Sequence, residues 1–201
     1  ATGASNTITQ PTGPTGANGV TTGTLSSTLA GARIVSVTID GTGIDQTDTV
    51  TVTAGLPSNQ GFLVQPTSMT VGTTMAPAVQ VEIRDQFGNR VTSANNGVSL
   101  TFGTNAGGGI LTGGNVTASS GLATFSSLSI DKIGTGYTLK STVGGLADVV
   151  STTFNVTAGV VSAAQSTVVA APASITAGSG SSIITVTAKD ANGCTATKDA
   201  S

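Results

Sequence analysis

The chain has 201 residues and a composition far from that of an average soluble domain: 8% charged, 3% aromatic, 28 glycines, no histidine, no tryptophan and one cysteine. Ordinary domains carry about 25% charged residues, and the deficit falls on the side chains that do acid–base, metal and phosphate chemistry, so an enzyme would be poorly equipped. The formal net charge is −2, and the seven Lys and Arg residues are scattered from Arg33 to Lys198, which leaves no basic stripe for nucleic acid.

An apolar content of 37% argues against disorder. The single cysteine, Cys194, rules out a disulfide within the chain, and the lack of histidine removes a Cys/His zinc site. Cys194 reads as a small buried thiol, with an intermolecular bridge as the alternative. The opening residues lack the basic and apolar stretches of a signal peptide. The most apolar run, 160–175, is interrupted by Ser162, Gln165, Ser166, Thr167, Pro172 and Ser174, too polar for a membrane span of about 20 residues.

In chain order, GPTGANG (13–19) is a loop whose two collagen-like triplets are too few for a triple helix. Period-two alternation follows at Val35, Val37 and Ile39, at Val50 and Val52, at Val79, Val81 and Ile83, and at Val98, Leu100 and Phe102, the pattern of half-buried strands. Turn pairs punctuate them at Asn18-Gly19, Asp40-Gly41, Gly88-Asn89, Asn96-Gly97, Gly144-Gly145 and Asn192-Gly193. No stretch keeps an i, i+3, i+4, i+7 pattern. The expected fold class is all-β.

Internal repetition sets the frame. VEIRDQFGN (81–89) returns as VTAKDANGC (186–194), 105 residues later, and VTAG (52–55) returns unchanged at 156–159, 104 later. GV (19–20) with Ser26-Ser27 matches GL (121–122) with Ser126-Ser127. A period near 104 residues is one β-sandwich module. It predicts the C-terminal half of a module at 1–54, a complete module at 55–158 and the N-terminal half of a module at 159–201. Each half would expose strand edges and one apolar face. The halves are complementary, through a join from Ser201 to Ala1 that is a few residues shorter than the span it replaces.

ASITAG (173–178) followed by ITVTAKDANG (184–193), and QPTGPT (10–15) followed by GVTTGTLSS (19–27), resemble the bacterial immunoglobulin-like repeats of invasin- and intimin-type surface adhesins. VQVEIRDQFGN (79–89), GLATFSSLSID (121–131) and GTGYTL (134–139) resemble a related repeat of large secreted bacterial proteins. The resemblance implies tandem immunoglobulin-like β-sandwiches at a cell surface or outside the cell, serving as stalks, spacers or binding tips. Cys194 departs from the pattern, which has Asn there, as at Asn89, and the strand expected after it is hard to find in 195–201. Tyr137, after a glycine pair, reads as either a tyrosine corner or a half-buried tyrosine.

Residues that could carry chemistry have plainer readings. GSGSS (178–182) lies in a turn and lacks the order of a nucleophile elbow. Asp45 and Asp48 are too few for a calcium loop. Gly107-Gly108-Gly109 precedes a short strand without the helix or lysine of a phosphate cradle. Asp85 and Asp190 occupy equivalent turns and read as caps of loop amides rather than metal ligands. The sequons at Asn115 and Asn155 suit a surface and establish nothing further. No cofactor is expected.

The functional expectation is a non-enzymatic structural protein of a bacterial extracellular fibre, stalk or surface layer, with stiff junctions at 53–57 and 157–161. Its partners are copies of itself joined head to tail, or a continuation of a longer repeat polypeptide. Val168, Ile184 and Val186 would pack against Val35, Val37, Val50 and Val52 of the complementing half. The alternative is an adhesin module that recognises a host receptor or glycan through sandwich loops, with Phe87 as the candidate contact.

Overall fold

A computed structural model of the chain describes residues 5–196. The Ser201-to-Ala1 join, Lys198 and the segment beyond Ala196 lie outside the described residues. Within them there is no helix. Six strands come first: β1 (Asn6–Thr9), β2 (Thr24–Ser27), β3 (Gly31–Val35), β4 (Thr38–Ile39), β5 (Thr42–Gly43) and β6 (Asp48–Val52). Then follow β7 (Asn59–Val64), β8 (Met69–Thr70), β9 (Val79–Arg84), β10 (Gly97–Thr104), β11 (Leu111–Thr112), β12 (Asn115–Thr117), β13 (Leu122–Phe125), β14 (Ser129–Ile130), β15 (Gly134–Val143), β16 (Val149–Val150) and β17 (Phe154–Thr157). The last two are β18 (Thr167–Ala171) and β19 (Ile183–Thr187).

The chain divides into two compact units. The first holds the residues up to Asn59 with Ile83–Asn95 and Ser119–Leu122; the second holds Gln60–Glu82, Asn96–Ala118 and the residues from Ala123 onward.

In the second unit a sheet ordered β12-β10-β15-β17-β8, with β16 on β15, forms one layer of a sandwich, and the sheet β13-β9-β7 supplies the other. The pairs β10/β12, β10/β15, β15/β16 and β15/β17 are antiparallel, and β17 with β8 is parallel, with Val156 opposite Met69 and Thr157 opposite Thr70. Alternation in β9 puts Val79 and Val81 fully inside while Gln80 and Glu82 are half-buried. Val98, Leu100, Ala123, Phe125, Leu139, Val143 and Val156 complete that core.

One polar group bridges the layers. Gln60 of β7 is buried, donates Nε2–H to the carbonyls of Ser141 (3.2 Å) and Ala147 (2.9 Å), and accepts at Oε1 from the Ser141 hydroxyl (2.7 Å). Every polar atom of the side chain has a partner, so the burial is tolerated.

Tyr137 is also buried, its ring 5.4 Å from that of Phe102 and 5.9 Å from that of Phe154. Its hydroxyl donates to the Lys132 carbonyl, five residues upstream, at 2.9 Å, which is the hydrogen bond of a tyrosine corner. A β-carbon on Gly107 would collide with the Ile133 carbonyl oxygen and the Tyr137 hydroxyl, so this glycine serves close packing beside the ring.

In the first unit, β1 pairs with β2, β3 with β6 and β4 with β5. The β3/β6 register opens with Gly31 opposite Val52, as the β15/β17 register opens with Gly134 opposite Val156. The sequence alternation reads Val35, Val37 and Ile39 as one strand, but β3 ends at Val35 and a separate hairpin begins at Thr38. The reason is the Asp40-Gly41 turn, whose positive φ values of 48° and 82° reverse the chain at once.

Replacing Gln60 by Leu will leave buried acceptors and the Ser141 hydroxyl unmatched and cost about 1–3 kcal/mol. Urea unfolding will show a lower midpoint with an unchanged slope, and adding Ser141→Ala will recover part of the loss.

Candidate functional site: two aspartate-centred turns

Asp85 follows the last residue of β9 and is buried. Its Oδ1 accepts from the backbone N–H groups of Phe87 and Asn89, both at 2.9 Å; its Oδ2 accepts from the Gly55 N–H at 2.9 Å and from Asn89 Nδ2 at 2.8 Å. The backbone closes the same turn through Asp85 N–H to the Asn89 carbonyl and Gly88 N–H to the Asp85 carbonyl. Gly88 has φ 85°, a conformation that favours glycine at the tip.

Asn89 passes the linkage on. Its Nδ2 also donates to the Thr28 carbonyl at 2.8 Å, and its Oδ1 accepts from the Ala30 N–H at 2.8 Å. Asn59 Nδ2 donates to the Asp85 carbonyl at 3.0 Å. A single carboxylate and a single amide thus tie together 28–30, Gly55 and 85–89, all within the first unit.

The second unit repeats the arrangement at Asp190. Oδ1 accepts from Asn192 N–H and Cys194 N–H at 2.9 Å, and Oδ2 from Gly159 N–H at 2.8 Å. Asp190 N–H again meets the carbonyl four residues on, and Gly193 has φ 77°. Where the first turn has the Asn89 amide, the second has the Cys194 thiol, which is half-buried. The tie to the neighbouring segment comes instead from Asn192, whose Nδ2 donates to the Val71 carbonyl at 3.2 Å.

The carboxylates are held ionised. Burial raises the Asp85 pKa, but the Asn89 side-chain amide and the N–H groups of Gly55, Asn89 and Phe87 outweigh it and bring it down to about 2. Asp190 is likewise lowered, chiefly by the Gly159 N–H. With their oxygens taken by loop amides, both aspartates act as caps of their turns.

The residues expected to meet across a split module sit as follows. Val168 opposes Val186 across β18/β19, and Ile184 opposes Ala170; Val168, Ile184 and Val186 are exposed. Val35 opposes Asp48 and Val50 opposes Arg33 across β3/β6; Val37 and Val50 are exposed, and Val35 and Val52 half-buried. Ile8, Leu25, Val35, Val37 and Val50 line an open cleft of about 470 Å³ in the first unit. Phe87 is 57% exposed at the tip of the Asp85 turn.

Three participants escape a reading of the sequence alone. Gly55 and Gly159 stand out there only as the ends of the repeated VTAG, and Arg33, a buried cation donating to Asn6 Oδ1 and the Ala32 and Leu29 carbonyls, carries no sequence signal.

Asp85→Ala will cost about 1–3 kcal/mol by stranding its amide donors. Because the folded pKa is depressed, the contribution of the ionised Asp85 carboxylate is complete above the unfolded carboxylate value and is lost as pH falls from about 4 toward 2. Urea midpoints measured across that range will fall for the parent chain and fall less for Asp85→Ala.

No family model and no curated protein matches the chain. Among solved structures, FdeC, an Escherichia coli adhesin, is similar over 94% of this chain and 62% of its own, at 23% identity and a TM-score of 0.52. Invasin, a bacterial integrin-binding protein, is similar over 95% of this chain and 40% of its own, at 23% identity and a TM-score of 0.45. A glycosyl hydrolase family 2 member from Bacteroides cellulosilyticus aligns with 67% of this chain and 18% of its own, at 13% identity and a TM-score of 0.42. The chain spans less than two thirds of the length of each of these proteins. With the strand order above, the likeness to FdeC identifies the fold as an all-β sandwich of the immunoglobulin-like kind.

Proposed function

We propose that the chain is a non-enzymatic structural segment of a bacterial extracellular fibre, stalk or surface layer. It is built of immunoglobulin-like modules, with 1–54 and 159–201 as complementary halves around a complete module at 55–158. The surface location and the adhesive or structural class draw support from the fold shared with the adhesin FdeC.

One observation carries the head-to-tail reading. Val81 and Val186 hold the same place in the repeat, yet Val81 is fully buried in the sandwich while Val186 is 66% exposed on a two-stranded hairpin. A fully buried valine gains about 1.5–3 kcal/mol over an exposed one, and β18/β19 leaves Val168, Ile183 and Ile184 bare as well. The cleft lined by Ile8, Leu25, Val35, Val37 and Val50 offers a matching apolar face. Seating one copy's hairpin on another copy's cleft buries both. Such a contact joins two different surfaces and need not close into a ring, so it builds a filament.

The second reading, recognition of a receptor or glycan, draws support from the exposure of Phe87. A lone aromatic without neighbouring anchors makes a modest hot spot.

Light scattering and negative-stain microscopy of the purified chain will show elongated particles that lengthen with concentration, and Val186→Asp will reduce them to monomers. A monodisperse monomer at every concentration overturns the head-to-tail reading.

A further inference from the structure

The two aspartate turns differ in one wall. At the second, the cleft beside Gly159, Asp190 and Asn192 is closed by Thr70, Val71 and Thr73. Asn192 lies over Gly72, its side-chain atoms 3.1–3.4 Å from where a β-carbon on that glycine would sit. At the first turn the matching cleft is lined by 55–58, Asp85, Gln86 and Phe87, and no wall equivalent to 70–73 forms part of it.

That wall has a counterpart 106 residues later in the same chain. PTSMTVG (66–72) matches PASITAG (172–178) at Pro, Ser, Thr and Gly. Both segments make the same turn: Thr73 N–H donates to the Thr70 carbonyl and Ser179 N–H to the Thr176 carbonyl, each at 3.2 Å, with Gly72 and Gly178 at φ 73° and 81°. Met69, which pairs with Val156 in the parallel β8/β17 ladder, is 9% exposed; its counterpart Ile175 is 55% exposed. The counterpart of Val156 is Val52, at the end of β6.

We infer that a second copy of this chain supplies the missing wall by adding 174–176 as a parallel strand to β6. Its Ile175 then lies opposite Val52 and its Ala177 N–H on the Thr53 carbonyl, while Phe87 covers its Ala177-Gly178 turn. The register is that of β8 on β17, where Val71 N–H donates to the Thr157 carbonyl at 2.9 Å. Phe87 takes the place of Asn192, trading one hydrogen bond for apolar cover of a backbone turn. The inference rests on the head-to-tail reading and adds its register and an occupant for Phe87.

The test uses the full chain in a Cys194→Ser background. One sample carries Phe87→Cys, the other Ala177→Cys; they are mixed and bridged with a short bis-maleimide. Both positions are exposed, so neither change disturbs a core. The expected result is at least tenfold more cross-linked dimer than from Ile110→Cys mixed with Ala177→Cys, Ile110 being exposed on the central module. Ile175→Asp should weaken association at least tenfold in sedimentation. Elongated particles without excess 87–177 cross-linking overturn the register and leave the head-to-tail reading intact. A chain that stays monomeric in scattering and microscopy overturns both.

Discussion

A β-sheet that alternates apolar and polar side chains has one face that water disfavours, and that face must find a second layer. In the central segment the requirement is met within the chain: β9 turns Val79 and Val81 inward against a larger sheet, and Gln60 reaches across to Ser141 with all its polar atoms paired. In β18 and β19 the same alternation leaves Val168, Ile184 and Val186 in solvent. Among the described residues β18 and β19 pair only with each other, and two strands make a layer without a partner.

The second organising element is electrostatic. A buried carboxylate is costly unless its oxygens are occupied. Asp85 meets the cost with four donors and Asp190 with three N–H groups, each including the amide of a glycine in a linker between two strands. The same bonds that stabilise the charge therefore fix the linker to the turn. A backbone amide is well suited to this, being independent of side-chain rotamers and little affected by salt when buried.

The exchange of Asn89 for Cys194 distinguishes the two turns. The Asn89 side chain makes three hydrogen bonds, to its own aspartate and to 28–30, whereas Cys194 contributes its backbone N–H and carbonyl, both to Asp190. At the second turn the tie moves two residues back, to Asn192 on the Val71 carbonyl, and at the first turn that position is the exposed Phe87. The repeated turn thus keeps its aspartate and varies the side chain two residues after it.

All-β class, strand phase and most turns were legible in the sequence, because period two and Gly, Asn or Asp pairs are local signals written by side-chain direction and by allowed φ. The repeats 81–89/186–194 and 52–55/156–159 were legible as well, and marked both aspartate turns. Burial was not: Val81 and Val186 have the same local pattern and opposite environments, since burial depends on strands far away in the chain. Nor were the Gly55–Asp85 and Gly159–Asp190 bonds, which link residues about thirty positions apart through a backbone N–H that every non-proline residue possesses. Side-chain pattern alone decided which face of each strand is apolar; only the tertiary structure decided which of those faces are covered, because cover comes from distant segments meeting in space.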